Sequence, residues 1–541
     1  MSRDQPSLFP PCIDDYVGPD NPVRAIDAYV EHLDLKQLGF RHADRGGGSG
    51  QPPYDPSDLL RLYLYGYLNQ VRSSRRLAQE SRRNVELIWL LKGLQPGYRT
   101  IATFRRENWS ALKAANREFV ILLRALDLLG GDLVAIDGSF FHGDASKASI
   151  STEKALRERL AALDRDIEAY GEALASNDAT ERADASADTD GGMGGGMGGG
   201  MDGGAAGGGA AEKMAGLLAK RDRVRGELSC LEASGAGQLS RTDGNARLLS
   251  KSGQVVAGYN VQIAVDARHK LLVASEVVND GNDTGQLHAL AKAAQAALGV
   301  ETLAVVADCG YYNGEALKAC EAEGIVAYVP PPERGGRLKA QGRFSREEFI
   351  YDAAMDAYRC PGDALLRPTK RLRRNAGRQE IRYTSRKAAC DGCALRGRCL
   401  SAKGQTREIL RWVHEDVLER HRARMTDADA MMRTRAGLAE HPFGTLKCRA
   451  GYRHFLVRGF DRVRGEWSLM ALCYNFTRLL NIFGVDGFIA ELAKRQGKGA
   501  VLRLFAAVRT AIRLARVVRT PDWAARTPKL EFLRQWLNAA T

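Results

Sequence analysis

From Leu133 onward the apolar residues of this chain stop recurring every three or four positions and fall into short runs. This switch of period constrains the fold more than any other feature. After Gly130-Gly131 the run LVAIDGSFF reads as a strand. GYNVQIAVDARH and KLLVASEVVND read as a hairpin pair, because Asp266 to His269 supplies a polar break. DTGQLHALAKAAQAAL reads as a helix with Asp283 or Thr284 as its cap, ETLAVVADCGYY as a buried strand, NGEALKACEAEG as a second helix and IVAYVP as a further strand.

Three strands, a helix, a strand, a helix and a strand is the order of an RNase H-like core. The predicted fold class is therefore α/β, a mixed sheet whose first and fourth strands lie side by side. Both strands close on an aspartate, Asp137 and Asp308, and a third acidic residue, Glu440, stands far downstream in RTRAGLAEHPFGTLK. Alone, an Asp at a strand end is a turn former or loop cap. Gathered by adjacent strands, three carboxylates are hard oxygen ligands that suit Mg2+ or Mn2+. Two such ions activate an attacking oxygen and stabilise a leaving one during in-line phosphoryl displacement. Asp137 would then bridge both ions, Asp308 would hold one, and Glu440 would complete the other from a helix. Pro442 predicts that this helix ends or kinks close to Glu440. In a continuous helix Lys447 would share the face of Glu440 and reach a phosphate.

Residues 1–128 read as an all-helical domain, with Asp58, Ser73 and Thr100 as N-caps. Arg75, Arg76, Arg105 and Arg106 fall at helix starts and turns, where they would grip a duplex backbone; the plain alternative is a bundle with arginines on its wet face. A surplus of 79 Lys and Arg over 65 Asp and Glu, a formal charge of +14, favours a polyanionic partner and ranks nucleic acid above an acidic metabolite. MSRDQPSLFPPCIDDYV carries no secretory signal, so a cytoplasmic protein is expected. The late apolar stretch WSLMALCYNFTRLLNIFGV is interrupted by Asn475, Arg478 and Asn481, which predicts a buried helix and no membrane partner.

Two insertions interrupt the core segments 129–145, 246–330 and 430–485. Residues 146–245 read as a charged helical hairpin around a Gly/Met-rich linker at about 184–211. Residues 331–429 read as a basic subdomain holding Cys360, Cys390, Cys393 and Cys399. Structural Zn2+ there ranks below a compact cysteine-containing subdomain without metal, since Cys360 stands apart from the other three. Residues 486–541 read as a basic helical tail.

The chain resembles the DDE transposases of bacterial insertion sequences. The motifs that carry this are RAIDAYVEHLDLKQLGF, TIATFRREN, VAIDGSFF, SGQVVAGYNVQIAVDARHKLLVASEVVNDGND, VVADCGYY, the cysteine-bearing insertion and AEHPFGTLKCRAGYRHFLVRGFDRVRGEWSLMALCYNFTRLL. The resemblance implies Asp137, Asp308 and Glu440 as the catalytic, metal-holding triad and Lys447 as the lysine that follows the glutamate. It further implies double-stranded DNA as partner and a homodimer in the complex that pairs two DNA ends. Arg435, beside Arg433, fills the basic position before the glutamate, whereas Met432 stands where the family commonly has a tyrosine. A repurposed transposase that binds DNA without cutting, and a nuclease that cuts without joining, are the alternatives.

Overall fold

A computed structural model describes residues 12–44, 53–187, 205–251, 253–333, 336–375 and 378–517. Contacts divide the chain into two compact units, Met1–Ile101 with Phe476–Thr541, and Ala102–Asn475.

The main sheet of the larger unit is built from β1 (Leu133–His142), β2 (Arg247–Lys251), β3 (Gln254–Asp266), β4 (Leu272–Val278), β5 (Leu303–Val306) and β6 (Ile325–Tyr328). They form one mixed sheet in the order β2-β3-β1-β5-β6, with β4 paired on β3. β1 runs antiparallel to β3, from Val134↔Asp266 to His142↔Gly258, and parallel to β5 at Leu133↔Ala304 and Ala135↔Val306. Covered on both faces, β3 is buried without a break from Ala257 to Asp266, which is why its sequence reads as a run and not as an alternation. The switch of period at Gly130-Gly131 has a local cause. The fully buried Asp266 carboxylate accepts the backbone N–H groups of Gly130 and Gly131 at 3.1 Å and of Arg268 at 3.0 Å, which locks the entry to β1.

Helices α1 (Leu287–Leu298) and α2 (Gly314–Ala322) connect β4 to β5 and β5 to β6. Asp283 and Thr284 do not cap α1: Gln286 occupies the cap position, and the Asp283 carboxylate is engaged elsewhere. Helix α3 (Asp429–Gly444) lies on the sheet through Leu438 and Ala439, which pack with Ala135 of β1 and Val306 of β5. Pro442 does not end it. The helix runs on to Gly444 and passes into a π-helical turn, Thr445–Arg449, in which the Thr445 N–H reaches back to His441 and Pro442 carbonyls and Ala450 N–H donates to Thr445. An interior proline forfeits its own N–H and crowds the carbonyl four residues back, and the wider turn that follows takes up the change in pitch.

Helix α4 spans Phe460–Val517 and is broken at Gly484 (φ 70°, ψ 174°). Its early part is a buried helix because its polar residues have partners. Asn475 both accepts from Leu272 N–H and donates to Leu272 C=O at 2.8 Å, and the Trp467 indole N–H donates to Ser275 Oγ at 2.8 Å. Among the described residues no helix is long and apolar enough to cross a membrane.

The first insertion forms two helices, Glu153–Ala187 and Ala205–Ser234, that meet through Leu156, Val224 and Leu231. Most of the Gly/Met-rich segment, 188–204, lies outside the described residues, as does the tail beyond Val517. The second carries a five-stranded antiparallel sheet around Phe344, Phe349, Tyr358, Leu366, Tyr383 and Ile409.

In the smaller unit the helices Pro22–His32, Pro56–Leu68, Ser74–Arg83 and Val85–Leu90 surround a core that includes Leu60, Leu62, Tyr63 and Leu77. Its caps differ from those expected. Asp55, not Asp58, accepts Ser57 N–H at 2.9 Å, and Thr100 sits inside the helix Tyr98–Glu107. Asp58 instead pairs at 3.3 Å with the buried Arg61, which Asp27 also holds at 2.6 Å. Ser73 occupies its cap position without a side-chain bond.

Candidate active site

Asp137 lies on β1 and Asp308 just beyond the end of β5, its parallel neighbour, so both carboxylates come to one end of the sheet. Alternation along β1 puts Ala135 and Asp137 on the same face, the one covered by α3. Glu440 directly follows Ala439, the buried contact of α3 with that face, and is exposed. The chain thus carries all three predicted acidic residues to the same region. Among the described residues, however, no three Asp, Glu, His or Cys side chains converge closely enough to hold a metal ion, and this applies to the triad as to the cysteines.

Burial pushes the Asp137 carboxyl up, and the charge of Asp308 adds to this; the Gly138 N–H, at 2.8 Å, and the Arg435 and Lys251 cations oppose it. Asp308 caps the short turn Cys309–Tyr311 by accepting Gly310 N–H at 2.9 Å. Mutually repelling carboxylates at adjacent strand ends are the donor set a hard divalent cation fits.

Lys447 lies in the π-helical turn and is turned inward toward β1. Its Nζ donates to Ser139 Oγ and Phe140 C=O, both at 2.6 Å, and sits 4.4 Å over the Phe141 ring. Burial pushes it down to about 8, against the opposing pull of Asp137. A depressed lysine means that the ammonium costs the fold stability below about pH 8, a cost relieved as pH rises toward the ordinary value of 10.5. Lys447→Met is therefore expected to hold or raise the melting temperature at pH 7, and a thermal melt checks this.

The remaining basic candidates are scattered. Arg433 is exposed and Arg435 half-buried. Arg75 and Arg76 are exposed, with Arg75 5.6 Å over the Tyr98 ring. Arg105, 12% exposed, turns in toward Glu466 at 3.7 Å, which leaves Arg106 as the exposed member of that pair. Of the cysteines, Cys390 is hydrogen-bonded to Ser385 Oγ at 3.0 Å, and Cys360 and Cys393 both lie within 4 Å of the place a Gly362 side chain would take.

The residue at the site that sequence reasoning gave another role is Asp283. It is 7% exposed; Oδ1 accepts from Asn260 Nδ2 at 2.8 Å and Gln262 Nε2 at 2.7 Å, and Oδ2 lies 3.5 Å from Lys251 Nζ. The Tyr311 hydroxyl donates to Gln262 Oε1, and burial, followed by the charges of Asp283, Asp137 and Asp308, pushes this phenol up so that it stays a donor. A Cβ on Gly138 would stand 2.4 Å from Gln262 Nε2 and 2.7 Å from Asp283 Oδ1, so the glycine after Asp137 is what lets this network lie against β1. Asn260 and Gln262, two amides at alternate positions of an apolar strand, were the available signal.

Fold and site together define an RNase H-like DDE domain. Residues 234–476 match the family described as transposase DDE domain, and residues 11–107 match the family described as transposase domain (DUF772). An N-terminal transposase domain is thus followed by a transposase DDE domain, the make-up of a DDE transposase. No curated protein matches the chain.

Proposed function

We propose that this transposase cuts double-stranded DNA at the inverted-repeat ends of its own insertion sequence and joins the freed 3′-hydroxyls to target DNA. The observation that carries this reading is the placement of Asp137 and Asp308 at the ends of adjacent parallel strands, under a helix that brings in Glu440. In the cutting step water adds to phosphorus as the P–O3′ bond breaks, leaving a 5′-phosphate and a 3′-hydroxyl. In joining, that hydroxyl attacks a target phosphorus as the target's own P–O3′ bond breaks, so that one phosphodiester replaces another and the target strand is left with a 3′-hydroxyl that takes up the proton. Asp137, Asp308 and Glu440 would hold Mg2+ or Mn2+, two ions in the full site, which supply charge neutralisation for both phosphoryl transfers.

The chain's own cations would do the positioning. Lys447 and Arg435 flank Asp137, and Arg433, Arg75, Arg76 and Arg106 offer surface charge to the phosphate backbone. Pairing two ends calls for at least two copies of the chain, hence a homodimer in the working complex. Structural zinc at Cys360, Cys390, Cys393 and Cys399 is not part of the proposal.

Incubating the purified protein with a labelled inverted-repeat end and Mg2+ or Mn2+ tests it. Cation-dependent nicking followed by joining is the expected result. Binding without cutting would point to a DNA-binding protein that has lost catalysis, and cutting without joining to a nuclease; either outcome overturns the proposal.

A further inference from the structure

Asp283 is an expensive group to bury, and its partners do not discharge it. Asn260 and Gln262 are neutral amides, so the one full positive charge paired with it among the described ion pairs is Lys251, whose side chain is half exposed. Asn260 itself is 0% exposed, and its Oδ1 has no protein donor while its Nδ2 serves Asp283, which marks the cradle as polar beyond what the carboxylate alone requires.

Position gives this arrangement a purpose. The place a Gly310 side chain would take lies 2.9 Å from Asp308 Oδ1 and 3.8 Å from Asp283 Oδ2, so both carboxylates lie against one glycine. Gly138, adjacent to Asp137, opens the sheet to the same network from the other side. Three carboxylates therefore surround this end of the sheet, and Lys251, on β2, acts on both Asp283 and Asp137.

We propose that Asp283 and Lys251 are a positioning pair for the cation site: Asp283 supplies a third negative charge behind Asp137 and Asp308, and Lys251 balances that charge until a divalent cation displaces it. The inference rests on the proposed reading of Asp137 and Asp308 as cation holders. Asp283, held by Asn260, Gln262 and Lys251, acts through its neighbours and through the field it adds.

The two residues carry opposite signs, and this is what a purely structural role does not reproduce. Mn2+ titration of the full-length protein without DNA, read by electron paramagnetic resonance of free Mn2+, is the direct measurement. Asp283→Asn is expected to weaken Mn2+ binding by about tenfold and Lys251→Gln to tighten it by about threefold, with both melting temperatures near that of the parent. Affinity within twofold of the parent in a folded Asp283→Asn protein, or weakened binding in Lys251→Gln, overturns the proposal. Should Asp283→Asn fail to fold, the Lys251→Gln result decides alone. Asp137→Asn, titrated in parallel, separates the two levels: if it too leaves Mn2+ affinity unchanged, the reading of the centre fails; if it abolishes binding while Asp283→Asn does not, only the positioning pair fails.

Discussion

Replacing Asp137 or Asp308 by asparagine is expected to lower DNA cleavage and joining by at least about a thousandfold, because a neutral amide neither holds a divalent cation as a carboxylate does nor offsets its charge. The loss should come without unfolding, and for Asp137 the sign can be worked out. Burial raises its folded carboxyl above the ordinary 3.8, so the ionised form is disfavoured in the fold, and at neutral pH the charge costs stability. Asparagine removes that cost while keeping an oxygen that accepts from Gly138 N–H at the 2.8 Å position. Asp137→Asn should accordingly melt at or above the parent temperature while being inert on DNA. A melt that drops by many degrees would show that the carboxylate serves the fold, and the loss of activity would then say nothing about catalysis.

The largest effect on stability is expected at Glu466. Its side chain is 0% exposed, accepts Leu456 N–H at 2.8 Å, and lies 3.7 Å from the Arg105 guanidinium, itself largely buried. Glu466→Ala removes the acceptor, takes the carboxylate away from Arg105, and opens a cavity. It should cost about 3–5 kcal/mol, several degrees or more in the melt of this unit. Glu466→Gln restores the acceptor for Leu456 without the charge and is expected to recover part of the loss. Equal melts for the two variants would mean that the hydrogen bond contributes nothing and that the ion pair carries the whole effect. Because Arg105 is spent in this way, Arg105→Ala should lower stability more than DNA affinity, whereas Arg106→Ala should do the reverse.

What could be read in the sequence follows from how local each signal is. β1 and β5 are apolar, β-rich runs ended by an aspartate, so both the strands and the meeting of Asp137 and Asp308 at one end of the sheet were legible. The hairpin β3–β4 was legible through its Asp266–His269 break, and the burial of α4 through polar residues that a lipid span would not hold. The course of the chain at Pro442 was not, because the lost N–H and the crowding by the ring say that the helix must give way but not where, and here it continues to Gly444 and then widens into a π turn. The inward reach of Lys447 to Ser139 and Phe140 was not legible either: an interval of seven residues fixes a common face only while the pitch is constant, and a π turn lies between. Asp283 was read as a helix cap because Asp at a predicted helix start usually caps. Its real partners, Asn260 and Gln262, lie on a strand many residues earlier, and only the register of β3 against β1, with Gln262 opposite Gly138, brings them to it.

The pairing of β1 bears on how such a chain is made. β1 is the centre of the sheet, yet both its neighbours, residues 258–266 and 304–306, lie beyond the first insertion. During synthesis an apolar strand ending in Phe140-Phe141 therefore leaves the ribosome long before either edge has a mate, and it waits while the two helices of the insertion are completed. Such non-local pairing is slow to form and leaves unpaired strand edges available to other chains. The local helical hairpin, which needs no distant partner, can fold first and bring the two ends of the gap together. Shortening that hairpin should thus show itself less in the finished enzyme than in the yield of soluble protein at high expression temperature.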